Sequence, residues 1–241
     1  MSCDKKTAFI FAAGLGTRLQ PITLNKPKAL VEIKGQTLLE IAIGKIQKAG
    51  FQRIVINTHH FAEQIEEFVE SRAFDVEIIL SHERDKLLDT GGGLYAAKEW
   101  LGEKPFLAYN VDIQTDLDLR EFYESHEEEA LSTLFVSDRK SSRCLLFDEA
   151  GYMVGWRNQT TGEVRTPFDS LCLEKCNGLA FNGIHIISPK IFSIMDGWKM
   201  PFSITDFYIS SCDKYKIKAY KSTDVKVVDV GKIDILNQLN E

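Results

Sequence analysis

The residues best equipped for chemistry stand near the start of the chain. They run Ala12-Ala13-Gly14-Leu15-Gly16-Thr17-Arg18-Leu19-Gln20-Pro21-Ile22-Thr23, with Pro27-Lys28 a few residues further on. Gly14 and Gly16 let the backbone come close to an anion and turn its N–H groups toward it. Arg18 brings a planar fork that grips two oxygens at once, and Lys28 a mobile point charge. The set is suited to holding a row of phosphates. A plain glycine turn between strand and helix is the bland alternative, and the five polar and proline residues around the glycines weigh against it. Two familiar phosphate loops are absent: Leu19 stands where the dinucleotide fingerprint needs its third glycine, and no Gly-Lys-Ser/Thr closes a P-loop.

Two carboxylates complement this loop. Asp112 follows the apolar run 105–111, and Asp229 sits in Val227-Val228-Asp229-Val230-Gly231. Each can be read as an ordinary turn residue at a strand end. A strand's carboxyl edge is also where Mg²⁺ meets a triphosphate held by the first loop, and that ion takes only one or two protein carboxylates. Asp116 reads as a helix N-cap. The bare run Gly91-Gly92-Gly93 permits close approach by a flat nucleobase, with backbone groups of Gly91 and Gly92 reading its edge; a ligand-free flexible loop is its competitor. His82 and Glu83, just before it, are possible readers of the base. His59 and His60, where a strand meets a helix, read as helix-start or surface residues.

The elements that must position these groups alternate. Strands are expected at 8–12, 53–57, 76–80, 105–111 and 131–136, with helices at 37–49, 61–71, 94–101 and 118–129 between them. Thr37 and Glu40 form a capping box, and Gly50 supplies the C-terminal stop. This order predicts an α/β fold, a Rossmann-like, mostly parallel mixed sheet with helices on both faces, in a single domain over 1–241. The stretch 138–177 is polar and turn-rich, with β-like pieces at 144–147 and 152–156. It reads as an excursion over the active-site mouth. The pattern resumes with strands at 179–187, 216–220 and 225–230 and helices near 189–195, 203–212 and from 232.

Composition limits the partners. The 241 residues are 44% hydrophobic, enough for a substantial core, and the net charge of −6 argues against general binding of nucleic acid or anionic membrane. No spanning helix or secretory leader is expected. Cysteines 3, 144, 172, 176 and 212 are odd in number and scattered, and Cys172/Cys176 has no second pair or histidine nearby to complete a zinc site. They predict incidental thiols and a reducing, cytoplasmic compartment.

From Ala12 to Lys28 the string resembles the signature of the sugar-1-phosphate nucleotidyltransferases, Ala-Gly-x-Gly-x-Arg, then Pro-x-Thr, then Pro-Lys. The likeness runs from residue 7 to about 239. It implies a loop (Ala12, Ala13, Gly14, Gly16, Thr17) that wraps the triphosphate, with Arg18 and Lys28 stabilising charge during transfer. It implies Mg²⁺ held by Asp112 and Asp229, although Val111 stands where such proteins commonly carry glycine. Gly91, Gly92 and the preceding Glu83 fall beside the nucleobase. Phe181-Asn182-Gly183-Ile184-His185 matches the family's sugar-binding element, making Asn182, Glu174 and Lys175 candidates for the sugar phosphate; Cys176 replaces a common proline.

The implied reaction is attack by a sugar 1-phosphate on the α-phosphorus of a nucleoside triphosphate, with pyrophosphate leaving. The attacking phosphate, with a second pKa of about 6, needs no general base, so Arg18, Lys28 and Asp112 with its ion carry the catalysis. Within the family the short length, the Thr-Gly-Gly-Gly run and the Asp-Val-Gly near the end look most like N-acetylmuramate-1-phosphate uridylyltransferases, with mannose-1-phosphate guanylyltransferases close behind. A β-helical acetyltransferase domain is not expected, and a monomer or small homo-oligomer is. A regulatory subunit that binds nucleotide-sugar without turnover would be expected to lack Arg18, Lys28 or an aspartate. A nicotinamide oxidoreductase would need the missing third glycine.

Overall fold

The computed structural model describes residues 5–222 and 224–241; Cys3 lies outside them. The first strand, β1 (Thr7–Phe11), leads to a small hairpin of β2 (Glu32–Ile33) and β3 (Gln36–Thr37) and to helix α1 (Leu38–Lys48). Thr37 caps that helix by accepting a hydrogen bond from Glu40 N (3.1 Å), a contact of a type that stabilises by about 1 kcal/mol. Gly50, with φ +84°, reverses the chain beyond it. Then come β4 (Arg53–Thr58), α2 (Ala62–Glu70), β5 (Glu77–His82), α3 (Asp89–Ala96), α4 (Lys98–Leu101), β6 (Phe106–Asn110), β7 (Ile113–Thr115) and α5 (Leu119–Glu124).

The first half makes a parallel array in which β1 pairs with β4 and β6, and β4 with β5. Register sets Phe11 beside Asn57 on one flank and Asn110 on the other. The carboxyl ends of these strands therefore gather Ala12, Asn57, Asn110 and Glu83 at one edge. Alternation along β1 divides the core. Ala8 and Ile10 pack with α1, α2, α5 and α8 (Ile233–Asn240), whereas Phe9 faces α3, α4 and α7 (Ile204–Ser211). Helices thus cover both faces, as the alternating sequence pattern requires.

The second half is mostly antiparallel, with β13 parallel to β8 as the exception. It comprises β8 (Ser132–Ser137), β9 (Arg143–Phe147), β10 (Met153–Asn158), β11 (Val164–Arg165), the long β12 (Asn177–Ile187), helix α6 (Ile191–Met195), β13 (Ile217–Lys221) and β14 (Val227–Asp229). The sheet order is β11-β10-β9-β12-β6-β1-β4-β5, with β8 also on β12 and β13 beside β8. β12 runs antiparallel to β6, β8 and β9. Its register shifts between Phe181 and His185, where Gly183 adopts φ +71° and Asn110 fills the space a Cβ would need.

Three expectations change. The segment 138–177 is not irregular, because its strands β9 to β11 extend the sheet. The glycine triplet is not a loop; Gly91–Gly93 lie buried in α3. Helix α5 is shorter than expected and is capped by Asp118, which accepts from Arg120 N and Glu121 N (2.9 and 3.1 Å). Asp116 instead accepts from Lys226 N at 2.7 Å and ties the C-terminal segment down.

Candidate active site

A cavity of about 510 Å³ opens at the carboxyl edge of the parallel strands, lined by Ala12, Ala13, Gly14, Lys28, Glu83 and Asp112 among others. The loop after β1 is held by side chains, not by its own turn alone. Asn57 Oδ1 accepts from Ala12 N (2.7 Å) and Ala13 N (3.3 Å), and Asn57 Nδ2 donates to Glu83 Oε1 (2.7 Å). Glu83 Oε2 in turn accepts from Leu88 N (2.7 Å). Burial raises the Glu83 carboxyl above the usual range, and the hydrogen bonds from Leu88 and Asn57 oppose the rise. Both oxygens of Glu83 and the N–H groups of Ala12 and Ala13 are therefore committed internally. Glu83 lines the cavity as a clamp between β4 and the segment before α3, and Gly14 lies on the same wall.

Gly16 has φ +64°, and a Cβ there would stand 3.0 Å from both Lys28 Cβ and Thr23 Cγ2. Only glycine suits that conformation and that space. Thr23 Oγ1 donates to Gly16 O at 2.8 Å, folding the loop back so that Lys28 joins Gly14 on the cavity wall. Thr17 and Arg18 begin a short 3₁₀ turn. Arg18 reaches the other carboxylate turn: a Cβ on Gly231 would lie 2.6 Å from Arg18 Nη2 and 2.7 Å from Asp229 Oδ1.

The two aspartates come together through backbone pairing. Antiparallel β14 and β7 place Asp229 opposite Ile113, next to Asp112, and Val230 N donates to Asp112 O at 2.9 Å. Asp229 Oδ1 accepts from Gly231 N (2.8 Å), and Lys28 Nζ forms an ion pair with Asp112 Oδ2. Among the described residues no group of three or more His, Cys, Asp or Glu side chains is arranged around a metal. Two hard carboxylates, each with one oxygen engaged, fit Mg²⁺, which completes its shell with water and substrate phosphate. Tyr109, behind Asp112, donates to Ile113 O at 2.6 Å; burial above all, and the charge of Asp112, raise its phenol, so it stays neutral.

Gly91 and Gly92 are absent from the cavity wall. Their N–H groups both donate to Phe202 O (2.9 and 3.2 Å), and a Cβ on Gly91 would collide with the Phe202 ring. Small residues are needed here for helix packing, and the N–H groups expected to face a base are engaged with Phe202. His82 is exposed, its Nδ1 at 2.9 Å from Thr58 Oγ1; His59 Nδ1 donates to Glu83 O at 2.7 Å.

A second cavity of about 560 Å³ adjoins the first, sharing Asp89. Arg143, Trp156, Arg165 and Phe181 face it from the antiparallel strands, and Asp206 from α7. Asp206 and Arg165 pair across it at 2.8 Å. Next to Phe181, Asn182 is fully buried; its Oδ1 accepts from Arg139 Nε (2.9 Å) and Ser137 Oγ (3.1 Å), and its Nδ2 has no partner. Glu174 and Lys175 are not brought to it. They lie exposed in a 3₁₀ turn before β12 and line neither cavity. From Asn177 to Asn182 the strand alone spans roughly 16 Å. The sequence reading did not single out Asn57, Asp89, Arg143, Trp156, Arg165 or Asp206, which line or support the two cavities. Asn57 alone carried a signal, a polar residue closing an apolar strand.

Comparison with known proteins gives the family and the fold. The chain matches the nucleotidyl transferase family over residues 7–143, more than half its length. It is 32% identical over 213 residues to the N-acetylmuramate alpha-1-phosphate uridylyltransferase of Caulobacter vibrioides, covering 85% of this chain and 83% of that relative. With the protein of the same name from Neisseria meningitidis it shares 30% over 189 residues, 77% of this chain and 76% of the other. Among solved structures, HddC from Yersinia pseudotuberculosis complexed with GMP-PN superposes with TM-score 0.76 at 22% identity over 98% of both chains. UDP-glucose pyrophosphorylase complexed with UDP-glucose gives 0.78 at 20%, over 98% of this chain and 97% of the other. At those identities the structural likeness is one of fold. Among the described residues no helix is long and apolar enough to cross a membrane.

Proposed function

The chain belongs to the nucleotidyl transferase family, and we propose that it transfers the uridylyl group of UTP to N-acetylmuramic acid 1-phosphate, releasing pyrophosphate. One observation carries the reaction class: Gly14, Lys28 and Asp112 stand on the wall of a single cavity at the carboxyl edge of the parallel strands. The choice of base and sugar is supported by the two uridylyltransferase relatives, each matched over three quarters or more of both chains.

An oxygen of the sugar 1-phosphate forms a bond to the α-phosphorus as the bond from that phosphorus to the bridging oxygen of the leaving pyrophosphate breaks. The attacking group is already an anion near neutral pH, so no side chain need remove a proton. Gly14 N–H, Lys28 and Arg18 hold the phosphates and neutralise the charge that shifts toward pyrophosphate, catalysis by position and charge. Asp112 and Asp229 would hold Mg²⁺, which when bound adds charge neutralisation on the triphosphate. The cavity shared through Asp89 takes the acceptor sugar, with Trp156 as an apolar platform and Arg143, Arg165 and Asp206 as hydrogen-bonding groups. On this reading strands β9 to β11 are the acceptor wall at the active-site mouth. Asn182 supports that wall from behind.

The test is pyrophosphate release with Mg²⁺ over UTP, GTP, CTP, dTTP and ATP against N-acetylmuramic acid, N-acetylglucosamine, mannose and glucose 1-phosphates. The UTP and N-acetylmuramic acid 1-phosphate pair is expected to dominate. Dominance of GTP with mannose 1-phosphate would replace the substrates and keep the reaction. Silence throughout, from folded protein that binds nucleotide, would overturn the reading.

A further inference from the structure

We infer that Lys28 guards Asp112 against free divalent cations, so that the metal is admitted only together with a nucleoside triphosphate. The inference rests on Asp112 being a metal carboxylate in the proposed transferase. Lys28 Nζ forms an ion pair with Asp112 Oδ2 on the wall of the nucleotide cavity. The two side chains are only 13% and 12% exposed, so bulk salt screens the pair weakly.

The position of Lys28 is not accidental. Pro27 precedes it in extended conformation, Val31 N donates to Lys28 O (3.1 Å), and its Cβ, with Thr23 Cγ2, fills the space a Cβ on Gly16 would need. Its stem is thus tied to the phosphate loop while its ammonium rests on the carboxylate. A divalent ion approaching Asp112 meets one oxygen already taken and a like charge beside it. Among the described residues the side-chain donor to the Asp112 carboxylate is Lys28, so it is the group an incoming ion must displace. A triphosphate changes this balance because it offers oxygens to both cations at once. Lysine is suited to the transfer, being a point charge on a flexible four-carbon stem that swings from carboxylate to phosphate. Arg18, with its rigid fork, sits against the Gly231 turn and is not placed to make that exchange.

The experiment needs no turnover. The full chain is titrated with Mn²⁺ in the absence of nucleotide, and free ion is read by electron paramagnetic resonance. Lys28→Met is expected to bind Mn²⁺ about ten-fold tighter than the unaltered protein, through loss of a nearby like charge. Lys28→Gln serves as a second variant and Lys28→Arg as the charge-retaining control, with circular dichroism to establish folding. The gain is expected to vanish when Asp112→Asn is combined with Lys28→Met. A non-hydrolysable UTP analogue is expected to raise Mn²⁺ affinity in the unaltered protein and close the gap. Equal or weaker Mn²⁺ binding in Lys28→Met and Lys28→Gln overturns the inference, as does a gain that survives Asp112→Asn or no binding in any form. Failure of the transferase reading would look different: no pyrophosphate from any substrate pair, with the Mn²⁺ difference intact.

Discussion

The parallel and antiparallel halves of the sheet build their cavities by opposite means. In the parallel half the strands end together, and the cavity wall is made of the residues just beyond each end: Gly14 after β1, Glu83 after β5, Asp112 after β6. The first and second of these are pinned by buried hydrogen bonds through Asn57, whose side chain reaches both Ala12 N and Glu83. In the antiparallel half the wall is made of side chains that point sideways from β9, β10 and β11, closed by an exposed ion pair between Arg165 and Asp206. The contrast teaches a division of labour. Rigid strand ends suit charge placed to within a few tenths of an ångström, whereas side chains on an edge can be exchanged without disturbing the frame.

The sharpest break of that comparison is to remove the carboxylate that crosses from the C-terminal strand to the parallel edge. Asp229→Ala is expected to lower pyrophosphate release on the order of 10³-fold while circular dichroism stays unchanged, because a preorganised charge is lost. Full activity would remove Asp229 from the site. Next in size, Arg18→Ala is expected to lower kcat about 10²-fold. A change confined to KM would make Arg18 a binding residue only.

Asn57→Leu attacks the frame itself. It leaves the Ala12 N–H and a Glu83 oxygen buried without partners, a loss of about 1–3 kcal/mol each, to be read as a lower urea midpoint. An unchanged midpoint would mean the clamp is dispensable.

Acid should act on the other half. His185 in β12 is fully buried beside Tyr208 OH (2.8 Å), and burial lowers its pKa to about 3; partial burial lowers that of His126 to about 4. Both folded values lie below the unfolded value of about 6.5, so the unfolded chain binds protons first as pH falls and stability drops between about pH 6.5 and 4. His185→Phe is expected to flatten that slope in urea unfolding at pH 7 and 4.5; an unchanged slope would assign it elsewhere. The smallest effect belongs to Arg165→Ala. Its exposed ion pair contributes about 0–1 kcal/mol, so stability should hold. KM for the sugar phosphate should rise several-fold with KM for UTP unchanged, and equal KM shifts would deny the two cavities separate substrates.

The parallel half was the legible one in the sequence. Its strands are continuous apolar runs, and each break in the run announces a loop, so Gly14, Lys28 and Asp112 could be singled out from residue type and position, with the family resemblance supplying their roles. Thr37 and Gly50 bounded α1 as their chemistry requires. The second cavity was not legible because Arg143, Trp156, Arg165 and Asp206 are ordinary surface types scattered over 64 residues. Glu174-Lys175 illustrates the converse, a motif that pattern brought forward and the fold leaves outside both cavities.

By itself, the order of residues determined the local facts: which runs are strands, where glycine must turn the chain, and which groups are chemically fit to meet phosphate and metal. Those follow from short-range sterics and hydrogen bonding within a few residues of chain. Only the tertiary structure decided which of them meet. It set Lys28 on Asp112, 84 residues away. Pairing of β14 with β7 carried Asp229 to the parallel edge. Burial turned Glu83 and the glycines of α3 inward as frame. Such contacts depend on strand register and helix packing summed over the whole core, which no local window of sequence contains.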